Sequence, residues 1–156
     1  LFTAAAHAAP QPGANAAKMA APKLGVHKSA LGFELSSNGT AWTLGEPPAG
    51  HKYIQSVYRG PAGADGASSP ATLTVRADKL EKPVPLERYV RRWQKEYPKY
   101  GFDVLGAKSF AQGQAKGYVL DLMNRESQRQ LRQVVFMKGQ RAVILTCRDH
   151  SKSFKD

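Results

Sequence analysis

The chain has 156 residues, 42% of them hydrophobic, which suits one domain with a real core and excludes a wholly disordered chain. Lys and Arg number 23 against 12 Asp and Glu, a net charge of +11 and a pI of about 10.0, so attraction to anionic surfaces is built in. The single cysteine, Cys147, excludes an intramolecular disulfide within this sequence, and no run of about 20 apolar residues is present to cross a membrane as a helix.

Residues 1–23 read as an address followed by a linker. Ala6-His7-Ala8 has the small residues of an A-x-A cleavage site, and the stretch from Pro10 to Pro22 is rich in Ala, Pro, Gly and Asn without periodicity. The expectation is a signal-peptide remnant and a disordered linker, hence a periplasmic or secreted protein. No cysteine stands near that site to accept a lipid. Residues 24–156 are expected to form a single domain.

Its first strand is expected over 30–35, followed by a turn at Ser36-Ser37-Asn38-Gly39 and a short extended piece at Trp42-Thr43-Leu44. Tyr53–Arg59 and Ala71–Ala77 read as two strands of a long hairpin across a Gly/Ala/Pro/Ser loop. That loop holds Gly60, Gly63 and Gly66 but has no lysine and no following helix, so it is not a phosphate loop. Pro83-Val84-Pro85 ends the sheet. From Leu86 to Tyr97, the residues Leu86, Tyr89, Val90, Trp93 and Tyr97 fall on one helical stripe, and Pro98 follows.

Phe102 to about Phe110 is a strand region. Ala115–Asn124, Arg129–Lys138 and Arg141–Cys147 then read as an antiparallel meander with Gly139 at a hairpin tip. Leu120 and Leu122 share one face of their strand with Tyr118, while Asp121 shares the other with Val119 and Met123 and needs a partner such as Arg132 or Arg141. Cys147, in an apolar strand, reads as a small buried hydrophobe rather than a nucleophile. Asp149 to Asp156 is expected to start a second helix. Strands apolar on both sides need cover on both sides. The fold class expected is therefore α+β: an antiparallel sheet of about six to eight strands with helices on both faces, an α/β/α sandwich.

The order of these elements, carried by Gly32-Phe33, Leu86-Glu87-Arg88-Tyr89-Val90, Gly117-Tyr118 and Ala142-Val143-Ile144-Leu145-Thr146-Cys147, resembles the PsbP-like fold family. That family includes PsbP itself, DcrB-type bacterial envelope proteins and a Ran-binding nuclear import factor. The resemblance implies a three-layer domain and binding, assembly or accessory roles rather than catalysis. It transfers no functional residue, since one fold hosts unrelated partners.

No catalytic, metal or cofactor constellation is legible. His7, His27, His51 and His150 lack ligand spacing, and no nucleophile–base pair is visible. The binding candidates are the basic helix face Arg88, Arg91, Arg92 and Lys95, continued by Lys99, with Arg129 and Arg141 expected to meet across the Lys138 hairpin. These point to a protein or other anionic envelope partner, with peripheral membrane contact compatible with the charge. Nucleic acid is disfavoured, because Tyr89, Trp93 and Tyr97 lie on the core stripe and are not placed to stack on bases. The expected function is a non-enzymatic exported binding or accessory protein. Its alternatives are a small-molecule or lipid-binding domain with a sheet–helix cleft and a secretion chaperone of the same fold.

Overall fold

The computed structural model describes residues 25–29, 33–61 and 70–154. The address, the linker and most of the Gly-rich hairpin loop lie outside the described residues. β1 (Val26–Lys28) and β2 (Glu34–Ser36) pair with each other in a two-stranded sheet. β3 (Thr43–Gly45), β4 (Ile54–Arg59) and β5 (Thr72–Lys79) lead to the helix α1 (Leu86–Glu96). A 3-10 turn at Tyr97–Tyr100 continues it, with Pro98 inside the turn. β6 (Phe102–Gln112), β7 (Ala115–Asn124), β8 (Arg129–Lys138) and β9 (Arg141–His150) follow.

The main sheet has seven strands, all neighbours antiparallel, in the order β3-β4-β5-β9-β8-β7-β6. Chain neighbours are therefore sheet neighbours, except that β9 returns to pair with β5 and joins the two meanders. The β4–β5 hairpin, the boundaries of β7 and β8 and the Gly139 turn fall where the sequence puts them. Gly139 has φ +59°, a left-handed conformation that glycine adopts without steric cost. Leu105 is an extra residue in β6, between Val104 opposite Leu122 and Gly106 opposite Asp121.

The helix stripe packs as expected. Tyr89 and Val90 close over Leu120, Val135, Ala142 and Ile144, with Leu86, Trp93 and Tyr97 around them. Side chains alternate along each strand, so Leu120, Leu122, Leu131, Val135, Ala142 and Ile144 face the helix and are all buried. Val119, Val134, Phe136, Val143 and Leu145 point to the opposite face.

Two expectations are corrected. β9 does not stop at Cys147: Arg148, Asp149 and His150 continue the ladder opposite Leu131, Gln130 and Arg129, and Arg148 also pairs with Thr72. A ladder with partners on both sides outcompetes a short helix that has no apolar repeat. Among the described residues a 3-10 turn, Ser151–Ser153, follows, and the last two residues of the expected helix, Lys155 and Asp156, lie outside them. Among the described residues the sheet thus has a helix on one face, not on both.

Candidate functional site

α1 starts where Pro85, extended at ψ 140°, stops the preceding segment, and the Tyr89 amide donates to the Pro85 carbonyl at 3.0 Å. No side chain caps this end. Glu87 in the first turn and Lys95 in the last suit the helix dipole. With the apolar stripe committed to the sheet, Arg88, Arg91, Arg92 and Lys95 are left in solvent.

These cations are not equivalent. Arg91 is paired with Glu87 one turn earlier at 2.6 Å, and Lys99 with Glu96 at 2.9 Å. Arg88, Arg92 and Lys95 make no ion pair among the described residues. They sit at i, i+4 and i+7, a single exposed row. An open groove of about 950 Å³ runs beside them, lined also by Leu80, Val84 and Trp93. It offers apolar contact beside unneutralised positive charge.

Arg129 and Arg141 do not join this row or each other. The turn pairs Lys138 with Arg141, so Arg129, opposite His150, is at the far end of the same hairpin. Arg129 and Lys138 are the two ends of the ten-residue β8, about 30 Å apart. Arg129 lies with Arg148 at a small depression of about 70 Å³ beside Phe102 and Asn124. Arg141 stands between Lys138 and Lys79. Asp121 takes Arg132, of the two partners expected, in a two-point contact at 2.8 and 3.1 Å.

A polar clamp beneath the helix was not anticipated. The Tyr89 hydroxyl donates to Asp78 Oδ2 at 2.7 Å, and Arg76 reaches the same carboxylate at 3.1 Å while lying 5.5 Å from the Trp93 ring. Tyr97 donates to Gln133 Oε1, and Gln133 Nε2 donates to Thr146 Oγ1 at 3.2 Å. The available signal was the alternation of Thr74, Arg76 and Asp78 on the strand face that also meets a helix carrying two tyrosines. Buried tyrosines take a hydrogen-bond partner. The clamp fixes the orientation of α1 and so the direction of its basic row.

Burial pushes the Tyr89 hydroxyl well above the ordinary tyrosine value; the hydrogen bond and charge of Asp78 add to this and Arg76 opposes it. Tyr97 is raised by burial too, against Arg76 and Gln133. A raised folded value means the contribution of the neutral hydroxyl is intact below the unfolded value of about 10 and is lost as pH climbs above it. Alkaline titration followed at the tyrosinate absorbance is expected to release Tyr89 and Tyr97 only together with unfolding. Tyr89→Phe should flatten the alkaline loss of stability, and an unchanged profile would sink that assignment. Cys147 is half-buried rather than fully buried; burial and Asp149 raise its thiol while Arg132 opposes them. This is the opposite of thiolate activation.

Among the described residues the architecture is an antiparallel sheet with one helix across it and a positive groove along that helix. Solved structures with this fold exist. A protein of unknown function, PA94, from Pseudomonas aeruginosa superposes with a TM-score of 0.55 at 16% identity, over 82% of this chain and 83% of that one. The solution structure of cyanobacterial PsbP (CyanoP) from Synechocystis sp. PCC 6803 superposes with a TM-score of 0.54 at 12% identity, over 86% and 85%. The domain therefore has the PsbP-like fold. No family model matches the sequence, and no curated protein matches it. No helix among the described residues is long and apolar enough to cross a membrane.

Proposed function

We infer that this is a non-enzymatic, exported accessory protein that engages an acidic envelope partner through the row Arg88, Arg92 and Lys95. The observation that carries the reading is the split within the helix's outer face: its acidic residues neutralise Arg91 and Lys99 and leave these three free above a groove with an apolar lining. Arginine forks suit carboxylates, and the groove walls supply the contact area that charge alone lacks. Export is supported by the A-x-A pattern at Ala6-His7-Ala8 and the linker after it.

The test is capture from an envelope extract with the wild type and an Arg88→Glu/Arg92→Glu/Lys95→Glu variant, at low and moderate salt. Three exposed contacts at about 0.5 kcal/mol each amount to about tenfold in affinity. The partner should be lost with the variant and weakened by salt in the wild type. If every captured protein is retained by a variant whose circular dichroism is unchanged, the basic row is not the binding site.

A second reading rests on the groove itself. About 950 Å³ lined by Leu80, Val84 and Trp93 beside three cations would also accept a small amphiphilic anion. A ligand mass retained in native mass spectrometry would favour this reading, and an apo mass would favour the protein partner.

A further inference from the structure

Beyond the end of α1, the helix side of the sheet carries two cations for which the fold supplies no counter-charge. Arg148 of β9 stands opposite Leu131 of β8, and Arg129 precedes Leu131 by two residues, so both arginines share the side that Leu131 faces. Diagonal neighbours of this kind stand about 7–8 Å apart, close enough for two guanidinium forks to hold one group between them. Leu131 is buried, and the Phe102 and Tyr97 rings meet edge-on with their centres 6.2 Å apart. Leu131 and Phe102 are the apolar lining of the depression of about 70 Å³ in which the two arginines lie.

The charged lining is all positive. Arg129 is half-buried and Arg148 exposed, and neither has an ion pair or a side-chain hydrogen bond among the described residues. The turn beside them is fixed: the Ser127 amide and hydroxyl donate to Asn124 Oδ1 at 2.7 and 2.9 Å. That occupies the Asn124 side-chain oxygen and leaves its NH₂ group to donate elsewhere. The next cation along the turn is already satisfied, since Arg125 reaches Asp103 at 2.8 Å. Of the 12 acidic residues in the chain, Asp65 and Asp156 lie outside the described residues, and none of the others lines the depression. Partial burial of an unpaired guanidinium is unfavourable, and a second one diagonally across the ladder adds repulsion. A bound anion removes both penalties.

Charge and size choose the anion. A carboxylate is filled by one arginine fork and leaves the second cation over. A terminal phosphate group carries about −1.5 to −2 charges at neutral pH and three acceptor oxygens, enough for two forks and an amide. About 70 Å³ is far below the roughly 300 Å³ at which pockets for whole small molecules begin, so the rest of the ligand stays outside. We propose that Arg129 and Arg148, with the Asn124 amide, hold a terminal phosphate group, borne by a soluble molecule or by a lipid headgroup. The site shares no lining residue with the groove beside α1 and does not depend on it.

Calorimetric titration of the full chain with inorganic phosphate, glycerol phosphate and acetate tests the soluble arm. Sedimentation with phosphatidylcholine vesicles containing phosphatidic acid, or phosphatidylglycerol at matched surface charge, tests the lipid arm. Saturable binding of the soluble phosphates assigns a soluble ligand; binding confined to phosphatidic acid assigns a lipid headgroup. In either arm Arg148→Gln, at an exposed position, should weaken binding at least about tenfold. Arg129→Lys, which keeps the charge and removes the fork, should do the same. Lys138→Gln, an equal loss of charge at another exposed strand end, should stay within about twofold of the wild type. The proposal is overturned if neither form of phosphate binds, or if acetate or phosphatidylglycerol binds as well as its phosphate counterpart. Indifference to Arg148→Gln, or an equal loss in Lys138→Gln, overturns it too. So does binding tightened at least about tenfold in Asp65→Asn/Asp156→Asn, because the chain's own carboxylate then fills the site.

Discussion

Leu120→Ala is expected to destabilise the domain by about 2–5 kcal/mol. Leu120 is 1% exposed at the middle of β7, between Ala107 on β6 and Gln133 on β8, and under Tyr89 and Val90 of the helix. Neighbours on both sides are held by strand ladders, so they cannot collapse into the space that the leucine leaves. The cost is then transfer of the lost methyl groups plus an unfilled cavity. Leu105→Ala is the matched control: 54% exposed at the β6 bulge, it should stay within about 0.5 kcal/mol. Urea denaturation measures both, and the comparison is sound only if the slope is unchanged. Equal losses at the two positions would mean that the sheet–helix layer is not the core.

Asp78→Ala is expected to cost about 1–3 kcal/mol. Removing one partner of a buried ion pair costs about 3–5 kcal/mol, but the side chains of Arg76 and Asp78 are 34% and 21% exposed, and water recovers part of that. The alanine leaves the Tyr89 hydroxyl without its acceptor and Arg76 without its carboxylate. Replacing the network as a whole removes the penalty. Arg76→Met/Asp78→Leu/Tyr89→Phe should return to within about 1 kcal/mol of the wild type. If the triple variant is as unstable as the single one, the clamp contributes net stability and does more than orient the helix.

How far the fold was legible depends on which residues are considered. β7 and β8 could be delimited because Gly113-Gln114, Asn124–Gln128 and Gly139-Gln140 punctuate alternating runs. The helix was legible because five apolar residues keep a period that a strand cannot use. The end of β9 was not, since Arg148-Asp149-His150 is polar and its strand character comes wholly from Thr72 and Leu131–Arg129 on either side. Of the candidate site, the basic row was visible as composition. Which of its members are free was not, because Glu87 and Glu96 select Arg91 and Lys99 by side-chain reach. The expected meeting of Arg129 and Arg141 failed on register, which the turn sets and a list of charges does not contain.

The sequence by itself determined the local periods: which segments extend, which one coils, and which side of the helix is greasy and which is basic. These follow from covalent geometry and side-chain spacing, and need no partner. Only the tertiary structure decided what stands beside what. It set Arg76 and Asp78 under Tyr89, isolated Arg88, Arg92 and Lys95 along a groove, and aligned Lys79 with Arg141 and Lys138 from three separate strands. Such neighbours are far apart in the chain, and the strand pairing that brings them together is fixed by the joint burial of the whole sheet.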